Sequence, residues 1–123
     1  MNVLVIDDSA VDRYHLVSLL NLAGHQVDQC AEPSTVLELV AAKSYDIVFL
    51  DVVMPDFDGY RLLRSIRLTP LISDQYVVIC SIKKTPLEIN YGLERAGAND
   101  YLPKPATREG LENIFCKRLT QCS

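Results

Sequence analysis

The sequence predicts an α/β fold: a doubly wound, five-stranded parallel sheet covered on both faces by five helices. Three observations carry this. Short apolar runs alternate with segments of helical period along the whole chain. The segments between runs are long enough for crossover helices, and right-handed crossovers cover both faces of a parallel sheet. Finally, polar groups stand at or just beyond the ends of four runs: Asp7-Asp8, Asp51, Ser81 and Lys104-Pro105. Ligands of open α/β sheets bind outside the carboxyl ends of the strands.

Val3 to Ile6 is the first strand. The helix from Ala10 to Leu22 follows, with Leu16, Leu19, Leu20 and Ala23 at i, i+3, i+4, i+7 spacing. Ser9 is placed to cap it, and Gly24 ends it by tolerating the left-handed conformation. Gln26 to Cys30 is a weaker strand nearer the edge. The second helix, Pro33 to Ala42, has proline in its first turn. Asp46 to Leu50 is the most apolar strand and is placed centrally. Gly59 to Leu68 carries Leu62, Leu63 and Ile66 on one helical face. Gln75 to Ser81 is the fourth strand, and Leu87 to Ala96 the fourth helix, closed by Gly97. Asp100 to Leu102 is a short fifth strand. Thr107 to Leu119 is the last helix, with Leu111, Ile114, Phe115 and Leu119 facing inward. Periodicity alone does not decide strand order; the order 2-1-3-4-5 sets strands one and three side by side at the switch point.

A chain of 123 residues supports one domain, residues 1–123, and one core. With 49% hydrophobic and 23% charged residues it is not disordered in composition. A formal net charge of -4 disfavours direct nucleic-acid binding, which calls for a basic face. No apolar run approaches a membrane span, so no membrane insertion is expected, and the N-terminus lacks the basic region of a signal peptide. Cys30, Cys80, Cys116 and Cys122 match no zinc spacing and form no C-x-x-C pair. Cys30 and Cys80 read as reduced core residues, which points to a cytoplasmic protein without structural disulfides.

Asp7, Asp8 and Asp51 are the centre of the functional reading. Carboxylates sharing one crevice repel unless a cation or proton intervenes. Hard oxygen ligands favour Mg²⁺, which takes one or two carboxylates together with water and phosphate oxygens. An aspartate can also act as a nucleophile and form an aspartyl-phosphate. Lys104 supplies a point charge suited to phosphate, and Pro105 restricts its backbone. Ser81 offers a hydroxyl to a phosphate oxygen. His15 and His25 read as surface or loop histidines rather than metal ligands. Arg61, Arg64 and Arg67 read as a solvated basic face on the third helix.

Taken together, VLVIDDS, DIVFLDVVMPDFDG with Met54, Pro55, Asp58 and Gly59, VVICS, and GANDYLPKP with Gly97, Ala98 and Tyr101 resemble the receiver domain of bacterial two-component response regulators. The resemblance covers essentially the whole chain and implies the flavodoxin-like order given above. It implies that Asp51 is the phosphoacceptor, served by a histidine kinase or phosphotransfer protein. It further implies that Asp7, Asp8, Asp51 and the backbone carbonyl of Val53 hold Mg²⁺. Ser81, Lys104 and Tyr101 then take the parts of switch hydroxyl, phosphate-binding lysine and aromatic switch, and Gly59 and Pro105 are structural. A downstream protein target is expected at the fourth helix, fifth strand and last helix.

The chain departs from the family pattern at several positions. Ile82 replaces the usual small residue after the switch hydroxyl and narrows the approach of a phosphodonor. The interval from Ser81 to Lys104 is one residue longer than usual, which predicts an altered loop before the fourth helix. Ala106 stands where phenylalanine is common. Val53, with Lys83, occupies a position that influences phosphoryl loss, and it has no polar group to orient water; a long-lived aspartyl-phosphate is expected.

Two other readings compete. A receiver-like interaction module could signal without phosphorylation. A phosphatase of the haloacid-dehalogenase class also uses a nucleophilic aspartate after a strand, but needs a second acid two residues later, where this chain has Val53. No P-loop or G-x-G-x-x-G is present for a nucleotide-binding enzyme.

Overall fold

The computed structural model describes residues 1–54 and 57–121. Pro55 of the motif above and Cys122 lie outside the described residues. Five strands form the sheet: β1 (Asn2–Ile6), β2 (Gln26–Cys30), β3 (Ile47–Asp51), β4 (Val77–Ser81) and β5 (Asp100–Pro103). All neighbours are parallel and the order is β2-β1-β3-β4-β5, as expected from the sequence. Residues Val53–Met54 and Phe57–Asp58 add a small antiparallel ribbon beyond β3.

Strand side chains alternate between two cores, as the period of two requires. Leu4, Ile6, Val48, Leu50, Val77 and Ile79 face one side. There they meet α2 (Val36–Ala42) and α3 (Gly59–Leu68) through Val36, Val40, Leu62, Leu63 and Ile66. Val3, Val5, Ile47, Phe49 and Val78 face the other side. Here α1 (Ala10–Leu22) and α5 (Arg108–Gln121) contribute Leu16, Val17, Leu20, Leu111 and Ile114. Because β3 is central and covered on both faces, each of its five residues is buried.

Local signals explain the element ends. The Ser9 hydroxyl accepts from the Asp12 N–H at 3.3 Å and starts α1. The Asp58 carboxylate accepts from the Tyr60 and Arg61 N–H groups at the head of α3. Gly24 and Gly97 close their helices with φ of 88° and 89°. The second helix begins as a 3-10 turn over Pro33–Thr35 before continuing as α2.

The fourth helix differs from its sequence expectation. It starts as α4 (Pro86–Asn90) and then widens into a π turn over Tyr91–Arg95. The Ala96 N–H donates to the Tyr91 carbonyl at 2.9 Å, an i→i+5 bond that encloses one residue more than an α turn. The fourth helix therefore holds one more residue in this turn than an α turn would.

Two further expectations are corrected. Leu119 does not face inward: it is 59% exposed and lines an open groove between α1 and α5 with Leu19, Leu22 and Phe115. Arg67 is not part of a solvated face. Its guanidinium donates to the carbonyls of Gly97 (2.9 Å), Ser73 (3.1 Å) and Gln75 (2.6 Å), and to Asn99 Oδ1 (2.8 Å). It joins the end of α3 to the turns that precede β4 and β5.

Replacing Arg67 with Ala leaves these acceptors without their charged donor. Urea unfolding of Arg67→Ala is expected to show a loss of about 2–4 kcal/mol. Arg64→Ala, at an exposed position of the same helix, is expected to stay within about 0.5 kcal/mol of the parent. Equal effects for the two variants would contradict the clamp.

Candidate functional site

Strand register brings the acids together. Ile6 pairs with Leu50, so Asp7 and Asp51 follow at the same level of adjacent strands. Asp51 in turn pairs with Cys80, one residue before Ser81. Asp7 and Asp51 are buried while Asp8 is exposed, and one carboxylate oxygen from each lies within 4.8 Å of the others. Asp8 and Asp51 line a cleft of about 120 Å³ with Ser9, Asp12, Val53, Ile82 and Lys104.

Backbone donors hold the acids in place. Asp7 Oδ1 accepts from the Ser9 N–H at 2.9 Å, and Asp51 Oδ1 accepts from the Val53 N–H at 3.0 Å. Gly59 lets the start of α3 press on this segment: a Cβ there would lie 2.5 Å from Val52 Cα and 2.7 Å from the Asp51 carbonyl oxygen. Any larger residue would push against the backbone that carries Asp51.

Lys104 enters from the loop after β5. Its N–H donates to the Ser81 carbonyl at 2.8 Å, and its peptide bond to Pro105 is cis. The Lys104 ammonium lies 2.9 Å from Asp7 Oδ2, 3.0 Å from Asp12 Oδ2 and 3.4 Å from Asp51 Oδ2. Burial pulls this ammonium down, but hydrogen bonds to Asp7 and Asp12 and the charge of Asp51 outweigh it and leave its pKa raised. Burial pushes the Asp51 carboxyl up to about 6; the Val53 N–H and Lys104 oppose this, and Asp7 adds to it.

Ser81 and Tyr101 meet at a shared neighbour. The Ser81 hydroxyl accepts from the Lys83 N–H at 3.1 Å, while the Tyr101 hydroxyl donates to the Lys83 carbonyl at 2.6 Å. Tyr101 is turned inward and buried, and its ring lies against Gly92 in the π turn. Burial raises its pKa, with Ser81 acting in the opposite direction. The histidines make other contacts, although His15 lines a neighbouring cleft with Asp7, Asp12 and Lys104. His15 bonds the Ala106 carbonyl at 2.7 Å, and His25 stacks on Phe115 with centroids 4.1 Å apart.

Asp12 escapes a reading based on strand ends because it lies in a helix. An acid in a first turn is ordinarily explained by the helix dipole. The signal that finds it is positional: a helix capped by Ser9 begins directly beyond an acid-bearing strand, so its first turn borders the same crevice.

The donor set fits a small hard cation, since carboxylate oxygens on adjacent strands converge at a cleft of modest size. The chain belongs to the response regulator receiver domain family, whose match spans residues 3–115. It is therefore a receiver domain of the two-component response regulators, a family of signalling modules rather than turnover enzymes.

Particular relatives place it further. It is 32% identical over 109 residues to Protein PilH of Pseudomonas aeruginosa, covering 89% of each chain. It is 34% identical over 104 residues to the gliding motility regulatory protein of Myxococcus xanthus, covering 85% of this chain but only 13% of that protein. Among solved structures it superposes with a TM-score of 0.87 on a putative response regulator from Chloroflexus aurantiacus, at 28% identity and covering 97% of both chains.

The raised Asp51 carboxyl has a consequence for stability in the absence of metal. Between the ordinary value of 3.8 and about 6, the folded state holds more protons than the unfolded state, so stability falls as pH rises through this window. Metal-free Asp51→Asn is expected to be more stable than the parent by about 1–3 kcal/mol at neutral pH, with the gain absent near pH 3.5. Urea titrations at the two pH values check this. A gain of equal size at both would contradict it.

Proposed function

We propose that this chain is a phosphorylation-controlled signalling switch, in which Asp51 accepts a phosphoryl group from a histidine kinase or phosphotransfer protein in a Mg²⁺-dependent reaction. One observation supports this above others: a buried aspartate stands 3.4 Å from a lysine ammonium, beside two further aspartates at the mouth of a small cleft.

Asp7, Asp8, Asp51 and the Val53 carbonyl would hold Mg²⁺, which supplies positive charge against the phosphoryl oxygens when bound. The chain's own residues do the rest. An Asp51 oxygen forms the new bond to phosphorus as the bond from phosphorus to the donor breaks, and the donor group leaves with that electron pair. The carboxyl must be ionised to attack, and its value of about 6 leaves it so at neutral pH. Lys104 offers the transferred group a fixed positive charge. The Ser81 hydroxyl reaches a phosphoryl oxygen by giving up the Lys83 N–H. Lys83 also holds the Tyr101 hydroxyl, so the event at Asp51 is passed to β5 and the π turn.

The surface that responds comprises the fourth helix, β5 and α5. Leu87 (78% exposed) and Tyr91 give this region apolar side chains for a downstream protein partner. No described helix is long and apolar enough to cross a membrane. The net charge of -4 supports a protein target rather than direct nucleic-acid contact. We take residues 1–123 as one receiver unit acting in the cytoplasm.

Intact-mass measurement with Mg²⁺ and acetyl phosphate tests the acceptor. The parent is expected to gain one phosphoryl mass and Asp51→Asn none. Equal modification of both would place the acceptor elsewhere. Failure in the parent with Mg²⁺ bound would favour the module that signals without phosphate, a reading supported by Ile82 at the cleft mouth. Partner binding that ignores phosphorylation would support that reading too.

Val53 bears on the lifetime of the modified state. Its apolar side chain lines the cleft and is 48% exposed, so it presents nothing to orient an attacking water. Val53→Asn is expected to shorten the half-life of the aspartyl-phosphate severalfold, followed by intact mass after donor removal. An unchanged half-life would sink this assignment.

A further inference from the structure

We propose that Asp12 is a positioning residue: a displaceable latch that occupies Lys104 and sets how readily the Asp51 site takes up a phosphoryl-like anion. The proposal rests on the switch function above.

Three carboxylates surround the Lys104 ammonium, and an ammonium has three donors. Before an anion arrives, its short contacts are therefore to Asp7, Asp12 and Asp51. These contacts are not equivalent. The side chains of Asp7 and Asp51 are 4% and 5% exposed, whereas that of Asp12 is 46% exposed. A buried carboxylate that loses its cation pays a large desolvation cost, while an exposed one recovers water at once. Asp12 is thus the partner that Lys104 releases most easily when a phosphoryl oxygen needs a donor.

Asp12 also carries a negative charge at the rim through which that anion must pass, since it lines the same cleft as Asp51 and Ile82. Both effects have the same sign. The latch must open and the like charge must be approached, so Asp12 weakens anion uptake.

The first turns of α1 hold the neighbouring backbone as well. Arg13 Nη1 donates to the Asp7 carbonyl at 2.7 Å, and His15 bonds the Ala106 carbonyl two residues beyond Lys104. α1 therefore grips both the β1 end and the Lys104 loop, which keeps Asp12 in register with the ammonium. Asp12 is the member of this set that contacts a charged group expected to change partners.

The test compares the parent with Asp12→Asn and Asp12→Ala, and uses beryllofluoride as a non-covalent phosphoryl mimic at saturating Mg²⁺. Calorimetry gives the affinity for the mimic and, separately, for Mg²⁺ alone. Both variants are expected to bind beryllofluoride about threefold to tenfold more tightly, the scale of one partly screened charge contact. Their Mg²⁺ affinity is expected to stay level or fall, because removing a carboxylate helps an anion and not a cation. Damage to the fold weakens both ligands together, so the divergence is the signature of the latch. Asp12→Glu, which keeps the charge, is expected to bind the mimic within about twofold of the parent.

Unchanged or weaker beryllofluoride binding by both neutral variants, with a parent that binds normally, would overturn the latch and leave the switch function standing. A parent that binds Mg²⁺ but no beryllofluoride would overturn the two together.

Discussion

One ammonium among four nearby carboxylates governs this structure. Asp7, Asp12 and Asp51 all lie within 3.4 Å of Lys104 Nζ, and Asp8 adds a further acid at the same cleft. A single cation cannot neutralise such a set. Burial pushes the Asp51 carboxyl up to about 6 and the charge of Asp7 adds to it, despite the nearby lysine and the Val53 N–H. The arrangement persists because the framework around it leaves little choice. Two adjacent parallel strands end at the same level, the Lys104 N–H is tied to Ser81, and Gly59 lets α3 close on the backbone of the Asp51 segment. Local charge repulsion is tolerated at a site that gains its use from it, and the two apolar cores carry the fold.

The boundaries of α1, β2 and α3 agree with the sequence reading, as does the order of the sheet. These features depend on local codes: a cap, a closing glycine and a period of apolar residues. What could not be read depends on backbone hydrogen-bond register or on distant partners. Apolar period locates the fourth helix, yet does not distinguish an α turn from a π turn, since Tyr91–Arg95 carries similar side chains in either. Arg67 looks solvated beside Arg61 and Arg64. Its acceptors at Gly97 and Asn99 lie 30 and 32 residues away, and no helical periodicity reports them. β3 extends one residue past its expected end, so the ladder includes Asp51 itself.

The same distinction applies within the site. The residue types at strand ends were sufficient to single out Asp7, Asp8, Asp51, Ser81 and Lys104, and the fold collects them at one edge. Their hydrogen bonds were not legible. That Ser81 takes the backbone N–H of Lys83 and Tyr101 its carbonyl follows from how β4, β5 and the following loop pack together. Asp12 is the clearest omission. Its chemistry is ordinary and its place in a first helical turn has an ordinary explanation, so only the three-dimensional contact with Lys104 distinguishes it.

The proposed switch needs an element that moves at little cost, and the fourth helix meets this condition on physical grounds. None of its five α-helical residues is buried, and in the π turn only Gly92 is. α3, by contrast, buries Gly59, Leu62, Leu63 and Ile66. Its hold on the core rests on the partly buried Ile89, Leu93 and Ala96 and on the edge contact of Tyr91 with Tyr60, and segments with fewer fully buried side chains open at lower free energy. Gly92 sets the coupling. A Cβ there would lie 2.9 Å from Ile79 Cδ1 and 3.2 Å from Tyr101 Cδ2, so the π turn already rests directly on the Tyr101 ring. The absence of a side chain at Gly92 is what lets the turn and the ring pack this closely. Ser81 and that ring share the backbone of Lys83, and a displacement at the hydroxyl therefore reaches the helix through one residue's backbone and one aromatic side chain.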